Sequence, residues 1–346
     1  MKSVYPNVSG RDEPEPALLC SFFGRENFPT ISCVIPCWNE SQNLPVLLAN
    51  LTEVLLKVPA EWEIIIVNDG STDDTNQVLA PWLAVGRIRL LDLSRNFGKE
   101  AAMTAGLEYA MGEVVVILDA DLQHPPAMIH EFLAKWRAGA DVVYALRMNR
   151  DDERPTKRWA TSAFYSLLNM ASRFEVPSGA GDFRLMDRKV VDSLLALPER
   201  NRFMKGLYAW VGFNAVALPY IPSVRGNGKS TFGPLALLRM SVDGLTLFTM
   251  WPLKAVSTIG FVIAILGFVY GAAITIDHLA YSNPVSGWTT IVVCLLLFCG
   301  IQLISIGVIG EYVGRVFEEV KQRPVYVVKQ DTGSGLKQKS IYDIAC

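Results

Sequence analysis

Residues 114–126 read VVVILDADLQHPP, five aliphatic side chains followed at once by two carboxylates one residue apart. An apolar run with no polar alternation suits a strand covered on both faces, and such strands belong to parallel sheets packed between helices. Similar runs occupy 31–35, 64–67, 88–93 and 142–145, with helix-like segments near 46–57, 74–83, 99–110 and 126–137 between them. This rhythm predicts an α/β domain built on a mostly parallel sheet.

Side chains that leave such strands at their carboxyl ends gather along one edge, where open α/β sheets bind ligands. Asn39 and Glu40 follow the first run, Asp69 the second, Asp119 and Asp121 the fourth, and Arg147 the fifth. Asp119 and Asp121, at the exit of a buried strand, can gather oxygen ligands around Mg2+ or Mn2+ and leave positions for a diphosphate. His124 has no second histidine nearby and is expected to be structural. Asp73 and Asp74, after Ser71 and Thr72, are expected to cap the next helix.

Composition narrows the class. With 51% hydrophobic and 19% charged residues, the 346-residue chain has apolar sequence beyond what one core needs. A formal net charge of -2 excludes the broad basic face of a nucleic-acid binder. The cysteines at 20, 33, 37, 294, 299 and 346 have neither disulfide-framework nor zinc spacing. Cys33 and Cys37 also lack the C-x-x-C spacing of a redox pair, so the thiols are expected to be reduced and structural.

The apolar surplus lies at 255–276 and 289–310, two nearly uncharged stretches. At about 1.5 Å per residue, each is long enough to cross a hydrocarbon core of roughly 30 Å. The connection 277–288 has no Lys or Arg, whereas Arg239 and Lys254 precede the first stretch and Arg315, Lys321 and Arg323 follow the second. The positive-inside rule then puts both flanks, and both termini, on the cytoplasmic side of an inner membrane. Leu235, Leu238, Met240, Leu245, Leu247 and Phe248, interleaved with Arg239 and Asp243, suit an amphipathic helix in the interface. The expected organisation is a lead-in at 1–30 without the apolar core of a signal peptide, a catalytic domain at 31–232 and interfacial helices at 233–254. Two membrane helices at 255–310 and a cytoplasmic segment at 311–346 follow, its end from 331 onward a Gly, Ser and Lys rich flexible tail.

In order, VIPCWNES, VNDGSTDDT, LSRNFGKEAAMTAGL, ILDADLQHPP and GAGDFRLMDR resemble the family-2 glycosyltransferases of GT-A fold. The likeness is closest to the polyprenyl-phosphate branch, which includes bactoprenol glucosyltransferases and dolichol-phosphate mannose synthases, and it covers residues 31–325. The resemblance implies that Pro36, Glu40 and Asp69 hold the nucleoside and ribose, with Asp119, Asp121 and Gln123 around the metal and diphosphate. Lys99, after Asn96-Phe97-Gly98, is read as a surface or helix-start cation outside this set.

Arg147, Arg150, Arg154, Lys157 and Arg158 form a basic stretch partly balanced by Asp151, Asp152 and Glu153, with Ser162 one turn further on. In similar transferases this region meets the acceptor phosphate, which makes Arg147, Arg158 and Ser162 acceptor candidates; guanidinium groups offer phosphate paired donors. Arg225-Gly226-Asn227-Gly228-Lys229-Ser230 ends like a P-loop, but Ser223 stands where that motif needs glycine. It fits instead the family's Gly-x-Ser/Thr-Lys-aromatic element, with Thr231 at the usual Lys position, and adds Arg225, Lys229 and Ser230 to the acceptor candidates.

The reaction implied by the resemblance is an inverting transfer of a sugar, glucose from UDP-glucose by closest likeness, onto polyprenyl (undecaprenyl) phosphate, with Mg2+ or Mn2+ as cofactor. A phosphate monoester with a second pKa near about 6 is largely dianionic at neutral pH and needs no strong base. Asp182 is therefore expected to orient Arg184 or the acceptor, or to sit in a buried structural ion pair; Asp121, Asp182 and Arg184 are the catalytic candidates. A processive polysaccharide synthase would carry a Gln-x-x-Arg-Trp string, which is missing here. A non-catalytic membrane scaffold that binds nucleotide-sugar is the other alternative, and the complete set of acids argues against it. Relatives can form tetramers, and 323–328 is the candidate strand for such assembly.

Overall fold

The computed structural model describes residues 28–84, 86–148, 177, 179–200, 202–220, 251–281 and 287–336. Strands β1 (Ile31–Cys37), β2 (Trp62–Asn68), β3 (Ile88–Leu93), β4 (Val114–Ile117) and β5 (Val142–Arg147) form at the five apolar runs. Between them lie helices α1 (Leu44–Leu56), α2 (Thr75–Leu83), α3 (Lys99–Tyr109) and α4 (Met128–Arg137). Every residue of β1, β2 and β4 is buried, as expected for strands with helices on both faces.

Three further strands complete an eight-stranded sheet among the described residues: β6 (Ala180–Asp187), β7 (Ala215–Tyr220) and β8 (Val328–Gly333), in the order β7-β5-β6-β4-β1-β2-β3-β8. The pairs β1–β2, β1–β4, β2–β3 and β5–β7 are parallel, whereas β4–β6, β5–β6 and β3–β8 are antiparallel. The sheet is mostly parallel, as expected, and mixed only through β6, which runs backwards between β4 and β5, and β8, which runs backwards beside β3. Helices α5 (Arg188–Leu195) and α6 (Met204–Trp210) follow β6 directly or nearly so.

Two apolar layers sandwich the sheet. One joins α1 and α4 to side chains such as Ile35, Ile66, Phe132 and Phe183. The other joins α3, α5 and α6 to Val34, Val67, Ile117 and Met186. In the second layer α3 comes so close to β1 that a Cβ on Gly106 would lie 2.1 Å from Val34 Cγ1. Cys33 and Cys37 are buried in the first layer, and burial, with Glu63 beside one and Glu40 beside the other, pushes both thiols far up; they stay protonated.

Helices α7 (Trp251–Tyr281) and α8 (Trp288–Lys321) contain both expected membrane stretches and extend beyond them. Each has an apolar window long enough to cross a membrane, Val256–Ala273 and Phe298–Lys321, with no part of either window buried. The 34 residues of α8 span about 51 Å, more than a bilayer core requires.

The segment from 331 is not simply a tail. Asp331 to Gly333 pair with β3, Arg89 holds the Asp331 carboxylate through two bonds of 2.9 and 2.7 Å, and the Leu336 amide donates to the buried Glu63 carboxylate at 2.8 Å. The strand begins at Val328, so the stretch expected at 323–328 is the approach to it. Of the lead-in, Thr30 is tied to Glu113 through its amide. Residues 1–27 and the interfacial stretch up to 250 lie outside the described residues.

Candidate active site

The loops after β1 and β2 are knitted together at the carboxyl edge. Asn39 Oδ1 accepts from the Thr72 amide at 2.8 Å, and the Glu40 amide donates to Thr75 Oγ1 at 3.2 Å. Asp73 accepts from the amides of Ser41 and Thr75, so it serves the start of α2 as expected, but Asp74, the N-cap residue, makes no side-chain cap bond. The Glu40 carboxylate accepts from Asn43 Nδ2 at 2.6 Å. Pro36 lies within β1, one residue from its end.

Asp69, only 3% exposed, accepts from the amides of Phe97 at 2.7 Å and Gly98 at 2.9 Å. Burial raises its carboxyl above the ordinary value despite these bonds. Asp69 thus fixes the 95–98 loop, which lies against Gly70: a Cβ there would sit 2.4 Å from the Arg95 carbonyl carbon, and φ is +65°. Only glycine meets both demands.

That loop delivers Lys99 to the centre of the edge. Its ammonium lies 2.6 Å from Asp119 Oδ1 and 2.7 Å from Asp182 Oδ2. Asp182 reaches the same level as Asp119 because β6 is antiparallel to β4, with Arg184 opposite Ile117. Burial alone would raise both carboxyls, but the Lys99 charge wins and holds Asp119 far below the usual range, with Asp182 also lowered. Burial likewise opposes the Lys99 charge, and the two carboxylates overcome it, pushing the ammonium up. Asp182 therefore stands in an ion pair with Lys99.

Asp121 Oδ1 accepts from the Gln123 amide at 3.1 Å, across Leu122 with φ of +62°. His124 packs its ring against Phe183 and Tyr220 at centroid distances of 5.1 and 5.3 Å, and its Nε2 stands 3.8 Å from Asp119 Oδ2. It acts as an aromatic wedge under the acids. Arg147 ends β5 opposite Tyr220, and Tyr220 feels the charges of Arg147, Asp121 and Asp119, so these four share one end of the edge. Arg158, Ser162, Arg225, Lys229 and Ser230 lie outside the described residues.

Arg184 is buried, donates through Nη2 to the Gly181 carbonyl at 2.7 Å and lies 3.5 Å from the centre of the Tyr208 ring. Beside it, Glu100 accepts from the Met204 amide at 3.3 Å; burial, helped by Asp182, pushes this carboxyl up to about 8. Lys99, Glu100, Lys205 and Tyr208 were not among the residues expected at the site. Lys99 alone had a signal, as a cation at a helix start after the third apolar run, on the same edge as the acids.

Among the described residues, no three metal-ligating side chains cluster. Asp119 and Asp121 nevertheless fit a hard divalent cation, since Mg2+ is commonly held by one or two carboxylates with water and substrate phosphates supplying the remaining oxygens. The ammonium already resting on Asp119 shows that this carboxylate attracts a cation in the fold.

Residues 32–195 match Glycosyl transferase family 2. An uncharacterized glycosyltransferase of Synechocystis sp. is 44% identical over 86% of this chain and 94% of that protein. The prophage-derived bactoprenol glucosyl transferase of Shigella flexneri is 42% identical over 87% of this chain and 97% of that protein. An uncharacterized glycosyltransferase of Bacillus subtilis is 39% identical over 90% and 96%. With an acidic carboxyl edge on an α/β sheet and likeness along nearly the whole of these proteins, the chain belongs to glycosyl transferase family 2 and is a glycosyltransferase enzyme.

Proposed function

We propose that this enzyme transfers glucose from UDP-glucose to a polyprenyl phosphate, with inversion at the anomeric carbon, at the cytoplasmic face of an inner membrane. The observation that carries the reading is the row of charged groups Asp69, Asp119, Lys99 and Asp182 on the carboxyl edge of a domain followed by two exposed apolar helices. Likeness to a bactoprenol glucosyl transferase along almost its full length supports the choice of sugar and acceptor.

Glu40, Pro36 and Asp69 bind the nucleoside, on the β1–β2 side. Asp119 and Asp121, with Gln123, would hold Mg2+ or Mn2+, which when bound neutralises the departing nucleoside diphosphate. Lys99 adds a fixed positive charge beside the same diphosphate, prepositioned by its two carboxylates. Asp182, held ionised by Lys99, is a weak base, which suits an acceptor that arrives already dianionic. The acceptor phosphate approaches on the side of Arg147, and Arg158, Ser162, Arg225, Lys229 and Ser230 complete its contacts. One phosphate oxygen attacks the anomeric carbon as the bond to the diphosphate oxygen breaks, and that oxygen leaves with the electron pair.

A panel of UDP- and GDP-sugars, each labelled, tests the reading with purified full-length chain, undecaprenyl phosphate and Mg2+ or Mn2+. UDP-glucose is expected to yield a lipid carrying one β-linked glucose. A different sugar in the lipid product overturns the donor, and products of several sugar units overturn single transfer.

A further inference from the structure

Beyond Asp182, between β5, β6 and α6, lies a cavity of about 180 Å³ whose walls include Tyr144, Arg184, Lys205, Tyr208 and Phe213. Arg184 is 4% exposed, and its bonds leave the Nε–H without an acceptor. The hydroxyl of Tyr208, whose ring stacks on Arg184, is also buried without a hydrogen-bond partner. One Asp182 oxygen goes to Lys99, and among the described residues Arg184 makes no ion pair: a carbonyl and aromatic rings are its close contacts, with Asp182 and Glu100 acting on it at longer range. A buried guanidinium without a paired carboxylate is costly, and an orphaned buried donor adds to the cost. A ligand that brings both charge and acceptors offsets both.

The walls specify the sign of that ligand. Arg184 and Lys205 contribute two cations, and among the described residues no carboxylate lines the cavity. The acids that act on Arg184 are Asp182, which shares the Lys99 ammonium with Asp119, and Glu100, whose carboxyl burial pushes up to about 8. We propose that the cavity binds one phosphate-class oxyanion, held by the Arg184 Nε–H, the Tyr208 hydroxyl and the Lys205 ammonium. Three donors from two facing elements, β6 and α6, suit a tetrahedral group with several free oxygens. The site is separate from the Asp119–Asp121 edge, where carboxylates face the ligand.

In an enzyme that acts on a lipid phosphate, the anion has two sources, the lipid head group and free phosphate. Their recognition chemistry is the same, and the lipid source alone rests on the function proposed above. Titrating the full-length chain in detergent with inorganic phosphate, at constant ionic strength and followed by calorimetry, tests the site. Binding is expected for the native chain, weakened about tenfold in Lys205→Met, as for one charge-assisted hydrogen bond, and weakened also in Tyr208→Phe. Arg184→Gln should lose binding; if it fails to fold, the two α6 variants carry the test. Displacement of phosphate by a short-chain polyprenyl phosphate identifies the head group, and binding indifferent to the lipid identifies the free anion; variant sensitivity supports the site in both cases. No binding by the native chain, or equal binding by native chain and both α6 variants, overturns it. Sugar transfer that persists alongside such a result retires the cavity site alone, whereas variant-sensitive phosphate binding without any sugar transfer retires the proposed function alone.

Discussion

Lys99 holds two carboxylates that would repel each other without it. Removing it in Lys99→Met leaves Asp119 and Asp182 side by side and largely desolvated. The expected loss of stability is about 1–3 kcal/mol, less than for a fully enclosed pair because the Lys99 side chain is 43% exposed. Both carboxyls are depressed in the native chain, so the stabilisation is present above the unfolded carboxyl pKa and fades as pH falls through and below it. Thermal unfolding followed from neutral pH downward should show the variant's full deficit down to the unfolded carboxyl pKa and a shrinking one only below it, as pH approaches the depressed folded values. Sugar transfer by the variant should drop by about 10²-fold, the scale of a lost preorganised charge. The carboxylates of this cluster were legible in the sequence, since each follows a strand or sits in a marked motif. Their cation was not, because a lysine at a helix start has the same local pattern whether it faces solvent or reaches back over the sheet.

At the scale of elements, α3 and α6 meet through Glu100, which accepts from the first amide of α6. Its carboxyl moves from an ordinary 4.5 to about 8 in the fold. Between those values the folded chain keeps a proton that the unfolded chain has released, so raising pH through this window costs stability. Glu100→Gln is expected to flatten that decline, measured as Tm against pH from 5 to about 8; an unchanged slope would remove Glu100 as its source. The first five strands were readable because each holds a run dominated by aliphatic side chains. The other three were not, for different reasons. β6 carries Asp182 and Arg184 toward α3 and α6, so its pattern reads as a polar motif, while Phe183 and Leu185 fill the layer under α1 and α4. β7 is half-exposed and contains Pro219, and the polar β8 takes its place by pairing with β3.

For the whole molecule, the end of α8 is fastened to the catalytic domain. Glu319 accepts from the Arg200 amide at 3.1 Å, Arg200 donates to the Arg323 carbonyl, and Tyr326 donates to Glu108. The chain then enters the sheet as β8, covering the edge of β3. Deleting residues 328–346 should expose that edge, lowering Tm by about 5 °C or more and promoting self-association, readable by light scattering. An unchanged Tm and a monodisperse product would show that β8 contributes little to the domain.

The most direct measurement is transfer of labelled glucose from UDP-glucose into the organic phase by full-length native chain and by Asp121→Asn, with undecaprenyl phosphate and Mg2+ or Mn2+. The expected result is labelled lipid from the native chain and none above background from the variant, with both unfolding at the same temperature. Equal label from both would contradict the role given to the Asp119–Asp121 edge, and no label from folded native chain would contradict the reaction itself.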